Sequence, residues 1–237
     1  MILIEKTQIM GLEPTIRGMR NPMDSWDKSD SEFNVQCGIC DSEHYNCDNC
    51  PTNPFSANGT DNALIGPNDL DLMLRLARAG SVDGKFRRMI VVYVDITAPL
   101  YWWEEFEAYN MGIVVNSCST MQKVKEKEFT LEDFSCEHIL GKGIVPDHTD
   151  ENPYDILQSV VNCLNYIRSC YLQTENKLYW RQMIQLLPSS YNQKRTVMLN
   201  YEVLANIYQH WSNRNLDEWR DLHCWITNLP WFEIIII

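Results

Sequence analysis

Apolar residues change period several times along the chain, and each change marks an element. Met89-Ile90-Val91-Val92-Tyr93-Val94-Asp95-Ile96 is a largely apolar, β-branched run, which predicts a strand buried on at least one face. Pro99 supplies a helix start. Leu100 to Tyr109 then carries five aromatics with acids at Glu104, Glu105 and Glu107, an amphipathic helix on that strand. Of its adjacent Trp102 and Trp103, one is expected in the core and the other at an interface or pocket wall. Upstream, Ile2 to Met10 predicts a short strand and Pro14 to Met19 a helical turn or loop. Pro67-Asn68-Asp69 opens a helix in which Leu70, Met73, Leu74 and Ala77 recur at helical spacing until Gly80 ends it.

Downstream, Thr130-Leu131-Glu132-Asp133 is a capping-box-like start. A long helical pattern runs from Pro153 to Leu187, with Ile156, Val160, Leu164 and Ile167 on one stripe, and Pro188 breaks it. Leu199, Val203, Ile207 and Trp211 come next at i, i+4 spacing as a second helix, and Leu216 to Asn228 reads as a third. Ile234 to Ile237 predicts a terminal strand. Strands followed by long helices define an α+β protein, an antiparallel sheet with long packed helices. Its 237 residues suffice for one such domain spanning 1–237.

One segment departs from this patterning. Residues 34–62 are polar and hold four of the nine cysteines, as Cys37 and Cys40, a six-residue spacer, then Cys47 and Cys50. Paired C-x-x-C knuckles aim four thiolates at one point, the geometry of structural zinc. Disulfides, an iron–sulfur cluster or free thiols are the other readings, and His44 in the spacer offers a substitute ligand. A segment with so little apolar content gains order from a metal more readily than from burial, so it reads as a Cys-rich insertion.

Charge narrows the partners. Lys plus Arg number 20 against 32 Asp plus Glu, a net charge of −12. That balance excludes bulk nucleic-acid or anionic-membrane binding, while leaving room for a small anion held by local arginines. No apolar run reaches membrane-spanning length. An odd cysteine count without a secretory leader predicts a cytoplasmic protein. Two places suit an anion. Lys85, Arg87 and Arg88 precede the central strand, with alternation expected to put Arg87 and Arg88 on opposite faces. Asn116-Ser117-Cys118-Ser119-Thr120 is a polar turn of hydroxyls and backbone N–H groups.

The strand, helix and polar turn resemble the heart of a flavin-dependent thymidylate synthase (thymidylate synthase complementing protein). That family's signature is Arg-His-Arg, seven residues, then Ser. Counting back from Ser119 puts the triplet at Tyr109, Asn110 and Met111. Asn116 matches the family's next Asn, whereas Ser117 stands for Glu and Met121 for Arg. The C-terminal half adds Leu187-Pro188 with Tyr191, Asn200 and Leu204 with Glu202 in an arginine's place, and Glu218-Trp219-Arg220. Leu216 replaces a Gln, and His210 stands near the place of a further Arg. The resemblance implies an α/β unit assembling as a homotetramer around flavin adenine dinucleotide (FAD) and deoxyuridylate, with arginines on their phosphates.

A divergent member lacking the triplet is therefore expected to bind a nucleotide or other phosphate ligand through Arg87, Arg88, Ser117, Ser119 and Arg195, without the usual flavin chemistry. The alternatives are an active FAD-dependent methylase of deoxyuridylate with a rebuilt site, or a non-enzymatic interaction or ligand-sequestering protein of the kind phage and mobile elements carry.

Overall fold

The computed structural model describes residues 2–33, 63–109, 112–117, 124–139, 152–210 and 215–237. It is an α+β fold with a four-stranded antiparallel sheet of order β1-β2-β4-β3, where β1 is Leu3–Met10, β2 Val91–Pro99, β3 Val114–Ser117 and β4 Asn192–Asn200. The helices are α1 (Leu12–Arg20), α2 (Pro67–Arg78), α3 (Leu100–Phe106), α4 (Pro153–Thr174), α5 (Lys177–Leu186), α6 (Tyr201–His210) and α7 (Asp217–Thr227). The chain divides into two compact units, a hairpin unit of residues 1–3, 97–108 and 117–195, and a main unit of residues 4–96, 109–116 and 196–237. No helix among the described residues is long and apolar enough to cross a membrane.

In the hairpin unit α4 and α5 pack together. Leu157, Val161, Leu164 and Ile167 of α4 bury against Met183 of α5 and against Val124, Phe129 and Phe134. The buried α4 stripe is thus the helical period set one position over from the Ile156–Val160 start expected, and Ile156 is exposed. Polar side chains on α4 fasten the crossing chain. Asn165 accepts from the Phe129 N–H at 2.8 Å and donates to its carbonyl at 2.9 Å. Arg168 donates to the carbonyls of Lys125 and Glu126. The Thr130–Asp133 capping box is present around a single 3₁₀ turn.

The predicted helix over 153–187 is two helices. Glu175 turns left-handed at φ 52°, and the Asn176 side chain then caps α5 by accepting from the Leu178 N–H. The Leu187-Pro188 break leads first into β4, and the expected second helix begins at Tyr201 as α6, with Val203 and Ile207 buried in it and Trp211 outside the described residues. Val197 and Leu199 are buried at alternate positions of β4, so Leu199 belongs to a period of two. Asn200, whose side chain accepts from the Val203 N–H at 3.1 Å, starts α6. The carbonyls of Ser189 and Tyr191 take the first N–H groups of α3 at 3.1 and 3.0 Å.

In the main unit, α1 is a full helix where a turn or loop was expected, burying Leu12, Ile16 and Met19. Residues Gly84–Met89 form a 3₁₀ turn, and β2 starts only at Val91. Adjacent Phe86 and Arg87 are both buried there, which strand alternation forbids. The expected terminal strand is also absent: Phe232–Ile234 is a 3₁₀ turn that drives Ile234 and Ile235 into the core. Tyr201 anchors this end by donating to the Pro230 carbonyl at 2.7 Å, and burial raises its pKa far above the usual phenol range.

A buried polar network organises the start of α2. Asp69 is fully buried and takes Arg20 Nε at 2.6 Å. Its other oxygen accepts from the Ser29 and Ser31 hydroxyls and from the Asp30 and Ser31 N–H groups. In return, Asp30 accepts from the Asn68 and Asp69 N–H groups at 2.9 and 3.1 Å, capping α2. Gly66 makes the approach possible, because a Cβ there would meet the Asp30 carboxyl carbon at 2.3 Å. Burial raises the Asp69 pKa, but bonds from Ser31, Ser29 and Arg20 outweigh it and hold it below the usual carboxylate value.

Asp69 therefore contributes stability in full above its unfolded-state pKa, and this is lost as pH falls through the lower native value. Asp69→Asn is expected to cost about 2–4 kcal/mol at neutral pH by leaving Arg20 uncompensated. Urea unfolding should show the gap to wild type narrowing in acid. A gap independent of pH would contradict this account.

Candidate functional site

The arginines expected to face an anion are placed differently by their neighbours. Arg87 is 5% exposed. Its Nη2 lies 2.7 Å from Glu202 Oε2, and its Nη1 donates to the Ile234 and Ile237 carbonyls at 3.3 and 3.4 Å. The ion contact is off the hydrogen-bond line, so Arg87 Nε and Glu202 Oε2 remain buried without a hydrogen bond. Arg87 is thus an internal cation rather than an anion-facing one. The reason is the acid opposite it, which supplies the countercharge from within the fold. Arg88 points outward, its side chain 60% exposed and 3.9 Å from the same carboxylate. The two neighbours do separate into inside and outside, through a 3₁₀ turn and not through strand alternation.

Arg195, in the hairpin unit, sits on β4 with its guanidinium over the Trp103 ring at 4.3 Å from the centroid. Its Nε donates to Gln193 Oε1 at 2.8 Å and its Nη1 to Glu107 Oε1 at 2.6 Å. Trp103 Nε1 donates in turn to the Gln193 carbonyl at 3.0 Å. A guanidinium stacked and braced on two sides is held in one orientation, and its Nη2 has no partner among the described residues. Stacking of this kind contributes about 0.5–2 kcal/mol and pre-organises the fork for an oxyanion. Sequence spacing offered no sign of Trp103 and Glu107 as partners, 92 and 88 positions away; only the β4–α3 packing brings them together. Trp102 and Trp103 are both fully buried, so neither walls an open surface.

Ser117 ends β3 and is exposed. Ser119, Cys118, Met121 and the Asn110–Met111 pair lie outside the described residues, as do Cys37, Cys40, Cys47 and Cys50 with the rest of 34–62. Glu32 and Leu64 flank that stretch and pair as an antiparallel bridge, with N–H···O distances of 2.9 and 2.8 Å. Among the described residues no cluster of three or more metal-binding side chains occurs. His210 contacts the Asn206 carbonyl one turn back through Nδ1 at 2.7 Å, the arrangement of a helix-end histidine.

No family model and no curated protein matches the sequence. Solved structures do. The flavin-dependent thymidylate synthase ThyX from Helicobacter pylori, complexed with FAD and dUMP, aligns over 97% of this chain and 93% of its own, with a TM-score of 0.57 at 16% identity. A second structure of that protein with FAD and dUMP gives 0.56 at 15%, over 98% and 94%. The UMP/dUMP methylase PolB from Streptomyces cacaoi, bound with 5-Br dUMP, gives 0.55 at 11%, over 99% and 94%. The chain therefore has the fold of the flavin-dependent thymidylate synthases, over essentially its whole length.

Glu202→Gln is expected to leave Arg87 as an uncompensated buried charge, destabilising the protein by about 3–5 kcal/mol. The double change Arg87→Met with Glu202→Leu should recover most of that loss. Equal stability of the single variant and wild type in denaturant titration would show the pair to be incidental.

Proposed function

We propose that this protein binds a pyrimidine nucleotide on a thymidylate-synthase-type fold without the flavin chemistry of its structural neighbours. The observation that carries the reading is Glu202. It stands where the resembled family has an arginine, and it is committed to Arg87 at 2.7 Å. An acid at that place repels a pyrophosphate, and the cation beside it is spent internally. His210 is likewise no substitute for a phosphate-binding guanidinium. These described residues do not fit FAD.

Nucleotide binding draws support from the full-length likeness to two proteins whose structures hold dUMP or its 5-bromo analogue. Arg195, braced on Trp103 in the hairpin unit, is the cation proposed for a phosphate there, with Ser117 and Ser119 as hydroxyl donors; the exposed Arg88 of the main unit stays a candidate by itself. Arg87 drops out of the ligand set. Thermal melting with dUMP and UMP is the test. One or both should stabilise the colourless protein, and Arg195→Ala should weaken binding by about 1.5–3 kcal/mol, the worth of a charge-assisted bond. Flavin absorbance in the purified protein, or no response to either nucleotide, would reject the reading.

The Cys37, Cys40, Cys47 and Cys50 set is proposed to hold one structural zinc in an insertion, and the chain to assemble as a homo-oligomer, a tetramer by analogy. The bridge between Glu32 and Leu64 supports the first, since it returns the chain to its point of departure. Exposed Tyr166, Leu172 and Leu178 on α4 and α5 support the second. Native mass spectrometry reads both at once. A multimer carrying one zinc per chain is expected, with the metal alone lost in Cys37→Ser; a metal-free 27.8 kDa monomer would refute both.

A further inference from the structure

A separate pocket lies within the main unit, apart from any residue assigned to the nucleotide. It is a cavity of about 180 Å³ lined by Glu13, Ile16, Arg17, Arg20, Trp26, Ser29 and Phe33. One wall is the helix α1 and the other is the chain just after it. Ile16, Phe33 and the Trp26 indole supply apolar surface, and charged groups stand among them. Trp26 is 51% exposed, so one side of its ring is open to solvent. Its ring is nonetheless fixed, because Nε1 donates to Asn21 Oδ1 at 2.7 Å. The far wall is fixed as well, since the Ser29 hydroxyl donates to buried Asp69 at 2.7 Å. Arg20 is held between Asp69 and the Ser25 carbonyl. The pocket is pre-formed by a network that no ligand is needed to complete.

We infer that this pocket binds the base of a guanine nucleotide. Its volume is below that of a drug-sized site and accommodates one flat heterocycle, leaving sugar and phosphate at the mouth. An indole set at a fixed angle is a stacking platform for such a ring. Arg17 and Glu13, one helical turn apart on α1, are both exposed, and neither is ion-paired with a described residue. An ionised carboxylate only accepts hydrogen bonds and a guanidinium only donates them. The pair therefore selects a ligand with two adjacent N–H donors, a ring N–H beside an exocyclic amino group, for Glu13 and an anionic group for Arg17. Among nucleobases, guanine presents two neighbouring N–H donors on one edge, which a carboxylate can take together. Adenine, cytosine and uracil do not offer that pair.

The probe is guanosine 5′-monophosphate, titrated calorimetrically into the full chain, with adenosine and uridine 5′-monophosphates and inorganic phosphate as comparisons. Saturable binding of the guanine nucleotide is expected, at least tenfold tighter than the other two and uncontested by phosphate. Trp26→Ala and Arg17→Ala, both at exposed positions, should each weaken it tenfold or more. Glu13→Gln should erase the preference for guanine over adenine. Arg195→Ala should leave guanine binding unchanged, which separates this pocket from the pyrimidine site proposed above. No saturation at millimolar concentration, equal binding by Trp26→Ala and wild type, or loss in Arg195→Ala would each overturn the inference.

Discussion

The main unit depends on a cation kept out of water. Arg87 lies at the end of a turn that enters the central strand, and its guanidinium reaches Glu202 in the first turn of α6. The same side chain collects two carbonyls from the last residues, and beside it the Tyr201 N–H donates to the Ile90 carbonyl at 3.1 Å. Three segments distant in sequence are therefore registered at one charge. Desolvating both ions costs several kcal/mol, which attraction alone need not recover. What such a pair does secure is position, because a turn or helix that slipped would leave a bare charge in an apolar core.

Elsewhere polar groups fasten segments at lower cost. Asn165 closes two hydrogen bonds on one backbone position, and Asp69 gathers a loop through five donors. Both are local solutions to the same difficulty. Stretches such as 124–130 and 29–32 carry few apolar residues, so burial alone does not fix their path. A side chain with two acceptors, or one donor and one acceptor, replaces the missing hydrophobic contacts.

The elements legible in the sequence are those with a strong period and a clear stop: β1, the central strand, α2 with its Pro and Gly ends, and α7; α4 is legible in its start at Pro153 and not in its end at Thr174. The failures share a physical cause. Leu199, Val203 and Ile207 fit a helical spacing, yet Leu199 belongs to a strand because β-branched Thr196 and Val197 precede it and Asn200 caps the next helix. Local spacing cannot tell which of two overlapping periods the rest of the fold will cover. Arg87 was legible as a cation but not as a buried one, since its partner lies 115 positions away and is visible only once α6 packs on the turn. Nothing in the sequence around Arg195 points to Trp103, which the fold stacks beneath it. The cysteine knuckles, the clearest chemical pattern in the chain, lie outside the described residues.

A fold can outlive the chemistry of its neighbours because different residues specify the two. Here the buried apolar positions of β2, α3 and α6 include Val92, Val94, Ile96, Trp102, Phe106, Val203, Leu204 and Ile207, and they satisfy the packing whatever charge stands beside them. Glu202 is the informative exception. An acid at this depth is costly when it stands alone. It is tolerated only if a cation stays with it permanently, and Arg87 does so through a turn that no ligand needs to order. The pair, with the two carbonyls that Arg87 also takes, holds the protein's own chain together. Arg87 is in this way committed to the fold on three segments, whereas Arg195 is braced only by its near neighbours Trp103, Gln193 and Glu107.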